Sequence, residues 1–289
     1  MLKAALECIP CILQGSLNLI KHSTNDESLR KSLLRRILKL LSEEDWNKSP
    51  FELYRIAQST ILKATGVVDP YRKLKKDSNR KALKLYPEMK KIIFESDNPL
   101  KTAAKLATLG NIIDYGIAAE TALEEELLEK VNHVEFAIDD FEKFRKKILE
   151  SNTLIYFLDN AGEVVFDKVL LETMLAVRNK PFKQLTIVCK EEPILNDVTL
   201  EEIEEVDLHL LPNTSIETIS SDLKFISSPR KINVLERVKQ HDIVIFKGQA
   251  NFENFLDYSN AFFLLVVKCP VISKILGVRV GGLVLKYSP

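Results

Sequence analysis

The chain has 289 residues, of which 41 are basic and 41 acidic, a balance that provides no overall field for nucleic acid or an anionic membrane surface. That length exceeds what one small core needs, so two domains or one large α/β unit are expected. No run approaches the roughly 20 apolar residues that cross a bilayer, residues 1–20 lack the basic start and clean apolar stretch of a secretory leader, and four cysteines do not make a disulfide scaffold, so the expected setting is soluble and cytoplasmic.

The first half reads as helix. Residues 29–41 carry leucines and isoleucine with basic residues between them. Ser49-Pro50 opens a helix over 51–65, and Gly66 with Asp69-Pro70 closes it. Residues 71–94 are amphipathic and rich in lysine, and the run Lys73, Lys75, Lys76, Arg80, Lys81 reads as a solvated face. Asp97-Asn98-Pro99 starts a further helix that ends near Gly110, and residues 121–131 and 139–150 add two more.

The period changes near Asn152. Strand-like runs at 153–158, 184–189, 206–210, 242–247, 262–267 and 283–287 alternate with helical patterns at 164–177, 200–205, 231–239, 252–258 and 271–276. This alternation predicts a mainly parallel sheet with right-handed crossovers. The expected architecture is an all-helical domain over 1–150, followed by a Rossmann-like three-layer α/β/α domain over 151–289.

Three strand ends carry the chemistry. The first leads into Asp159, Asn160 and Glu163, the second into Asn196-Asp197, and the third into Lys247-Gly248-Gln249-Ala250-Asn251. If the strands are parallel, all three clusters share one sheet edge, where open α/β sheets bind ligands. Hard oxygen donors from two of them suit Mg²⁺ or Mn²⁺. Lys247 adds positive charge, Gly248 lets backbone approach a ligand, and N–H groups at the helix start near Gly162 favour a phosphate. Taken singly, Asp159-Asn160 and Asn196-Asp197 are also good turn or cap residues. Neither a GxGxxG nor a GxxxxGK[ST] is present, which disfavours dinucleotide and P-loop readings.

Cys8-Ile-Pro-Cys11 opens the first helix, with Cys269 as a third partner and Cys189 as a fourth if the fold joins them. The alternatives are an auxiliary metal or redox site and two small side chains packed in the interior. The four histidines, His22, His133, His209 and His241, share no ligand-like spacing. Asn111 and Asp114 sit between Gly110 and Gly116, either lining the cleft from the helical side or forming an ordinary turn.

In order and spacing, Glu7-Cys-Ile-Pro-Cys11, Gly110-Asn-Ile-Ile-Asp-Tyr-Gly116, Asp159-Asn-Ala-Gly-Glu163, Leu195-Asn-Asp-Val198, Lys247-Gly-Gln-Ala-Asn251 and Lys268-Cys-Pro-Val271 resemble the metal-dependent damage-control phosphatases. One branch of that family has also been described as an acidic-residue methyltransferase, and the cysteine pair is similar to its stand-alone members. The resemblance implies a helical part before a Rossmann-like domain, with a divalent metal (Mn²⁺, Ni²⁺, Co²⁺ or Mg²⁺) held by Asp159, Asn160 and Asp197. It implies that Glu163 and Lys247 face the substrate phosphate and that Asn111 and Asp114 lie near the cleft; on the residue reading above, Gly162, Gly248 and Asn251 are expected to complete the substrate surface. The implied substrates are small phosphorylated metabolites such as sugar phosphates or damaged phosphopantetheine. Residues 212–216 lack glycines expected from relatives, which leaves substrate preference open.

These readings converge on phosphomonoester hydrolysis with Asp159, Glu163 and Lys247 as catalytic groups and no nucleic-acid or membrane partner. Two alternatives remain: an AdoMet-dependent carboxyl methyltransferase on the same sheet, and a non-enzymatic protein that binds metal through its CxxC.

Overall fold

A computed structural model describes residues 2–110, 131, 133–220, 223–227 and 232–289. Asn111, Asp114 and all but the last residue of the helix expected over 121–131 lie outside this set.

The chain begins with α1 (Cys8–Ser23), α2 (Glu27–Glu43) and α3 (Pro50–Thr65). Their ends follow from local chemistry. The Asp26 side chain accepts from the Ser28 and Leu29 amides at the start of α2. Ser49 and Glu52 form a capping box ahead of α3, and Gly66 closes that helix at φ +70°. Leu19, Ile20, Ile37, Leu53, Ala57 and Ile61 form a core of their own between the three helices. The next two helices, α4 (Arg72–Glu95) and α5 (Pro99–Leu109), instead share a core with the sheet, through Ala82, Met89, Ala103 and Leu106.

The sheet has nine strands among the described residues: β1 (Phe136–Asp139), β2 (Thr153–Phe157), β3 (Gln184–Lys190), β4 (Thr214–Ile219), β5 (Phe225–Ser227), β6 (Ile232–Asn233), β7 (Ile243–Lys247), β8 (Ala261–Val266) and β9 (Leu283–Ser288). Their order is β1-β9-β8-β7-β2-β3-β4-β5-β6. The central run from β8 through β7, β2 and β3 to β4 is parallel. β9 runs antiparallel to β8 and parallel to β1, and β5 and β6 add an antiparallel margin beyond β4. The intervening helices are α6 (Phe141–Glu150), α7 (Glu163–Arg178), α8 (Leu200–Glu205), α9 (Val234–Lys239), α10 (Gly248–Phe255) and α11 (Pro270–Leu276).

Successive side chains of β2 point to opposite faces. Leu154 and Tyr156 meet α7 through Val164, Val165 and Phe166. Ile155 and Phe157 meet α10 through Phe252 and Phe255, where Phe157 and Phe246 stack at 4.5 Å. The helix after β2 and the helix after β7 therefore cover opposite faces of two adjacent parallel strands. The gap at their carboxyl ends is a topological switch point, the place where such sheets bind ligands. The Rossmann-like, mainly parallel sheet expected from the alternation is observed.

One expected strand is not. Residues 206–210 form a turn and a short 3₁₀ segment, and the strand comes later as β4. Val206 and Leu208 are buried, which mimics strand alternation, but Asp207 takes φ +56° and breaks the extended path.

Candidate active site

The three clusters meet at the switch point. Loop 196–198 zips onto the end of β2: Ala161 N–H donates to Asn196 O at 2.9 Å, Val198 N–H donates to Asp159 O at 2.9 Å, and Asn160 and Asp197 face each other in an isolated bridge. The Asp159, Asn160 and Asp197 side chains are all buried. Asn160 Nδ2 donates to Asp159 Oδ2 at 2.8 Å and lies 3.5 Å from Glu163 Oε2, so the positive end of an amide already sits between two carboxylates. Lys190 Nζ reaches Asp197 Oδ2 at 3.8 Å.

The far wall is Gly248, at φ +78°. A Cβ built there would lie 1.8 Å from Asp159 Oδ2, so the carboxylate occupies the space that any other residue would fill. Glycine is required at this position twice over, by the backbone angle and by the close approach.

Beneath this layer lies a buried ion network. Lys247 Nζ donates to Glu163 Oε1 at 2.7 Å, to Asp167 Oδ1 at 2.5 Å and to Ala107 O at 2.9 Å. Tyr156 Oη donates to Asp167 Oδ1 at 2.7 Å. Burial alone would lower the Lys247 pKa, but the Asp167 and Glu163 carboxylates outweigh it and hold the pKa above its ordinary value. Burial pushes the Asp167 carboxyl up to about 6 against the pull of Lys247. Among the described residues no three His, Cys, Asp or Glu side chains are arranged to hold a metal by themselves. The donor set at the edge is instead two carboxylates and an amide. That suits a hard cation which keeps waters and substrate oxygens in its shell.

A profile of the damage-control phosphatase ARMT1-like domain matches residues 4–284. The chain belongs to this family. It is 30% identical to the damage-control phosphatase PH1575 of Pyrococcus horikoshii, over 98% of this chain and 97% of that protein. It is 28% identical to a damage-control phosphatase of Archaeoglobus fulgidus, over 96% of this chain and 97% of the other. The crystal structure of the Pyrococcus horikoshii DUF89 family protein superposes with a TM-score of 0.87 at 28% identity, covering 100% of both chains. Family membership makes the chain an enzyme of the phosphohydrolase class.

Within this damage-control phosphatase the expected residues fall into two groups. Asp159, Asn160, Asp197, Glu163 and Gly248 come together at the sheet edge. Lys247 and Asn251 do not face outward as expected. The three hydrogen bonds of the Lys247 ammonium all go to protein acceptors below the edge, and Asn251 Nδ2 donates to Leu158 O at 3.0 Å and Lys247 O at 2.7 Å. Lys247 thus ties the end of β7 to α5 and α7, and Asn251 ties α10 to the ends of β2 and β7. The Gly162 N–H, expected at a phosphate, donates instead to Asn79 Oδ1 at 2.7 Å.

Asn79 on α4 is a residue the sequence reading missed. Its Nδ2 also donates to Glu205 Oε2 at 2.7 Å, so one buried amide joins α4, the 159–163 turn and the end of α8. A lone asparagine in a lysine-rich helix carries no local signal; only the fold brings it within reach. Asn79→Ala leaves the buried Gly162 N–H without its acceptor and is expected to cost about 1–3 kcal/mol in denaturant unfolding, because an unmet buried donor carries its full desolvation penalty.

The cysteines are free thiols. Burial raises the Cys8 and Cys11 pKa values, and the nearby Glu253 and Cys269 charges raise them further. Gln249 Nε2 donates to Cys269 Sγ at 3.4 Å and to Glu253 Oε1 at 2.8 Å. Cys189 does not join them: it is buried in the sheet core, with its thiol pushed up to about 12 by burial.

Proposed function

We propose that the chain is a metal-dependent phosphatase that hydrolyses phosphate monoesters of small metabolites such as sugar phosphates or damaged phosphopantetheine, in metabolite damage control. One observation carries the metal dependence. Two buried carboxylates from separate strand ends, Asp159 and Asp197, stand at one sheet edge beside the Asn160 amide, and such hard oxygen donors suit a divalent cation. A divalent cation at that edge would offset the charge of both carboxylates, since buried like charges carry a large desolvation cost.

Asp159, Asn160 and Asp197 would hold the ion (Mn²⁺, Ni²⁺, Co²⁺ or Mg²⁺). When bound, a divalent cation supplies Lewis acidity to a phosphoryl oxygen and lowers the pKa of a coordinated water. The remaining chemistry belongs to the chain. Gly248 starts α10 directly beside Asp159, so the first-turn N–H groups would stabilise charge on the phosphoryl oxygens. Glu163, held through Oε1 by Lys247, would orient the attacking water or take its proton through Oε2. Lys247 holds the Glu163 carboxylate in place, which makes it a positioning residue.

The decisive experiment is turnover of p-nitrophenyl phosphate with each divalent ion, comparing wild type with Asp159→Ala. The variant is expected to lose at least about 10³-fold in kcat/KM while circular dichroism and thermal unfolding stay native-like. Full turnover by that variant refutes the assignment. A panel of phosphorylated metabolites with the same ions identifies the physiological ester.

A further inference from the structure

Two lysines end central strands of the sheet, and side-chain alternation sends them to opposite faces. On β7, Lys247 lies two residues beyond Ile245, which belongs to the core under α7. Its ammonium is taken up on that side by Glu163, Asp167 and Ala107 O. On β3, Lys190 lies two residues beyond Val188, which packs in the core under α10. Its register partner on β4, Ile219, belongs to that same core. Lys190 therefore lies on the face where Gly248 begins α10, away from the carboxylates that hold Lys247.

Lys190 is 4% exposed, yet among the described residues no hydrogen bond meets its ammonium. Its neighbours are Asp197 Oδ2 at 3.8 Å, beyond hydrogen-bond length, and the Phe51 ring, whose centroid is 5.6 Å away. An ammonium carries three donors, and buried donors are seldom left unmet. The tip is not sealed: Lys75 Nζ is closed off from solvent, whereas Lys190 Nζ is not. The backbone around it sets it at the proposed metal site. Lys190 N–H donates to Val198 O and Val198 N–H donates to Asp159 O, each at 2.9 Å, so the loop carrying Asp197 is strung between Lys190 and Asp159. The helical part braces this loop from α3, where Gln58 Nε2 donates to Pro193 O at 2.9 Å.

We infer that Lys190 is the catalytic cation that meets the phosphoryl group, the role expected above of Lys247. The inference rests on the phosphatase reading above. An ester docked beside Asp159 and Asp197 would offer its non-bridging oxygens to the unmet donors, and a fixed cation there stabilises the charge they carry during transfer. The pair with Asp197 suits this work, because at 3.8 Å the ammonium can turn to an ester without breaking a hydrogen bond. The competing role, a counterion to Asp197 alone, makes the opposite forecast at saturating metal.

The test uses Lys190→Met and Lys190→Gln, saturated with whichever of Mn²⁺, Ni²⁺, Co²⁺ and Mg²⁺ gives wild type its highest turnover, and thermal unfolding as the fold control. Lys190→Gln keeps a donor and serves where methionine is not tolerated. Hydrolysis of p-nitrophenyl phosphate, its inhibition by inorganic phosphate, and metal affinity by calorimetry are read for each protein. Lys190→Met is expected to lose about 10²-fold in kcat/KM and Lys190→Gln about tenfold. Phosphate inhibition is expected to weaken by at least about tenfold in Lys190→Met, while the metal binds as tightly as in wild type or more tightly. Phosphate inhibition equal to wild type, or a loss of turnover that disappears at saturating metal, overturns this inference alone. A wild type that hydrolyses no ester with any divalent ion overturns the phosphatase reading and this inference with it.

Discussion

Gly248→Ala is expected to abolish most phosphatase turnover, by about 10²-fold or more, although it adds a single methyl group. The added Cβ would fall 1.8 Å from Asp159 Oδ2, so the carboxylate must leave its position. Displacing a group in the proposed metal site by about 1 Å is enough to cost that factor. The left-handed φ of +78° adds roughly 1–2 kcal/mol of backbone strain. Gly277→Ala separates the two contributions. Gly277, at the end of α11, also has a left-handed φ, +66°, but a Cβ added there would meet nothing within 4 Å. It is expected to lose comparable stability and retain full turnover. Equal activity losses in both variants would show that strain, and not the Asp159 contact, governs the site.

Lys247→Met is expected to be the most destabilising single change at the site. It removes the cation between Glu163 and Asp167 and leaves two carboxylates buried together. Breaking a buried pair in this way costs about 3–5 kcal/mol in urea unfolding. The loss should depend on pH. In the native protein Asp167 already titrates near 6, because burial opposes its charge. Between its ordinary carboxylate range and that value the folded state binds more protons than the unfolded chain, so this carboxyl lowers stability as pH rises. Without the ammonium the native pKa moves higher still and the window widens upward. The deficit of the variant should therefore be larger at pH 7.5 than at pH 5. A deficit that does not change with pH would mean that lost packing, not unpaired charge, accounts for it.

Much of the framework was legible because it is written in local patterns. The run Thr153–Phe157, its stop at Asp159 and the helical period from Val164 onward specify strand, turn and helix within one short segment. The parallel alternation then places the ends of β2, β3 and β7 on one edge, and the acidic and amide side chains follow. The direction of Lys247 was not legible. A lysine that ends a strand reads as a cation at the ligand edge, yet Glu163 and Asp167 lie one turn apart on α7 and draw it beneath the surface. Asn79 and Gln58 were missed for a different reason. Each is an ordinary helix residue whose role depends on a loop about 80 to 140 positions away, and periodicity carries no information at that range. β1 escaped notice because four residues beside a helix start are too short to show a period.

The placement of β9 has a consequence for how the chain matures. Residues 283–288 occupy the berth between β1 and β8, so Phe136–Asp139 has no strand partner until the last of these segments has been made. At typical synthesis speeds the delay is on the order of ten seconds. Throughout it the early strand is a bare edge, joined near its end by the flank of β8, and is open to mispairing with other nascent chains.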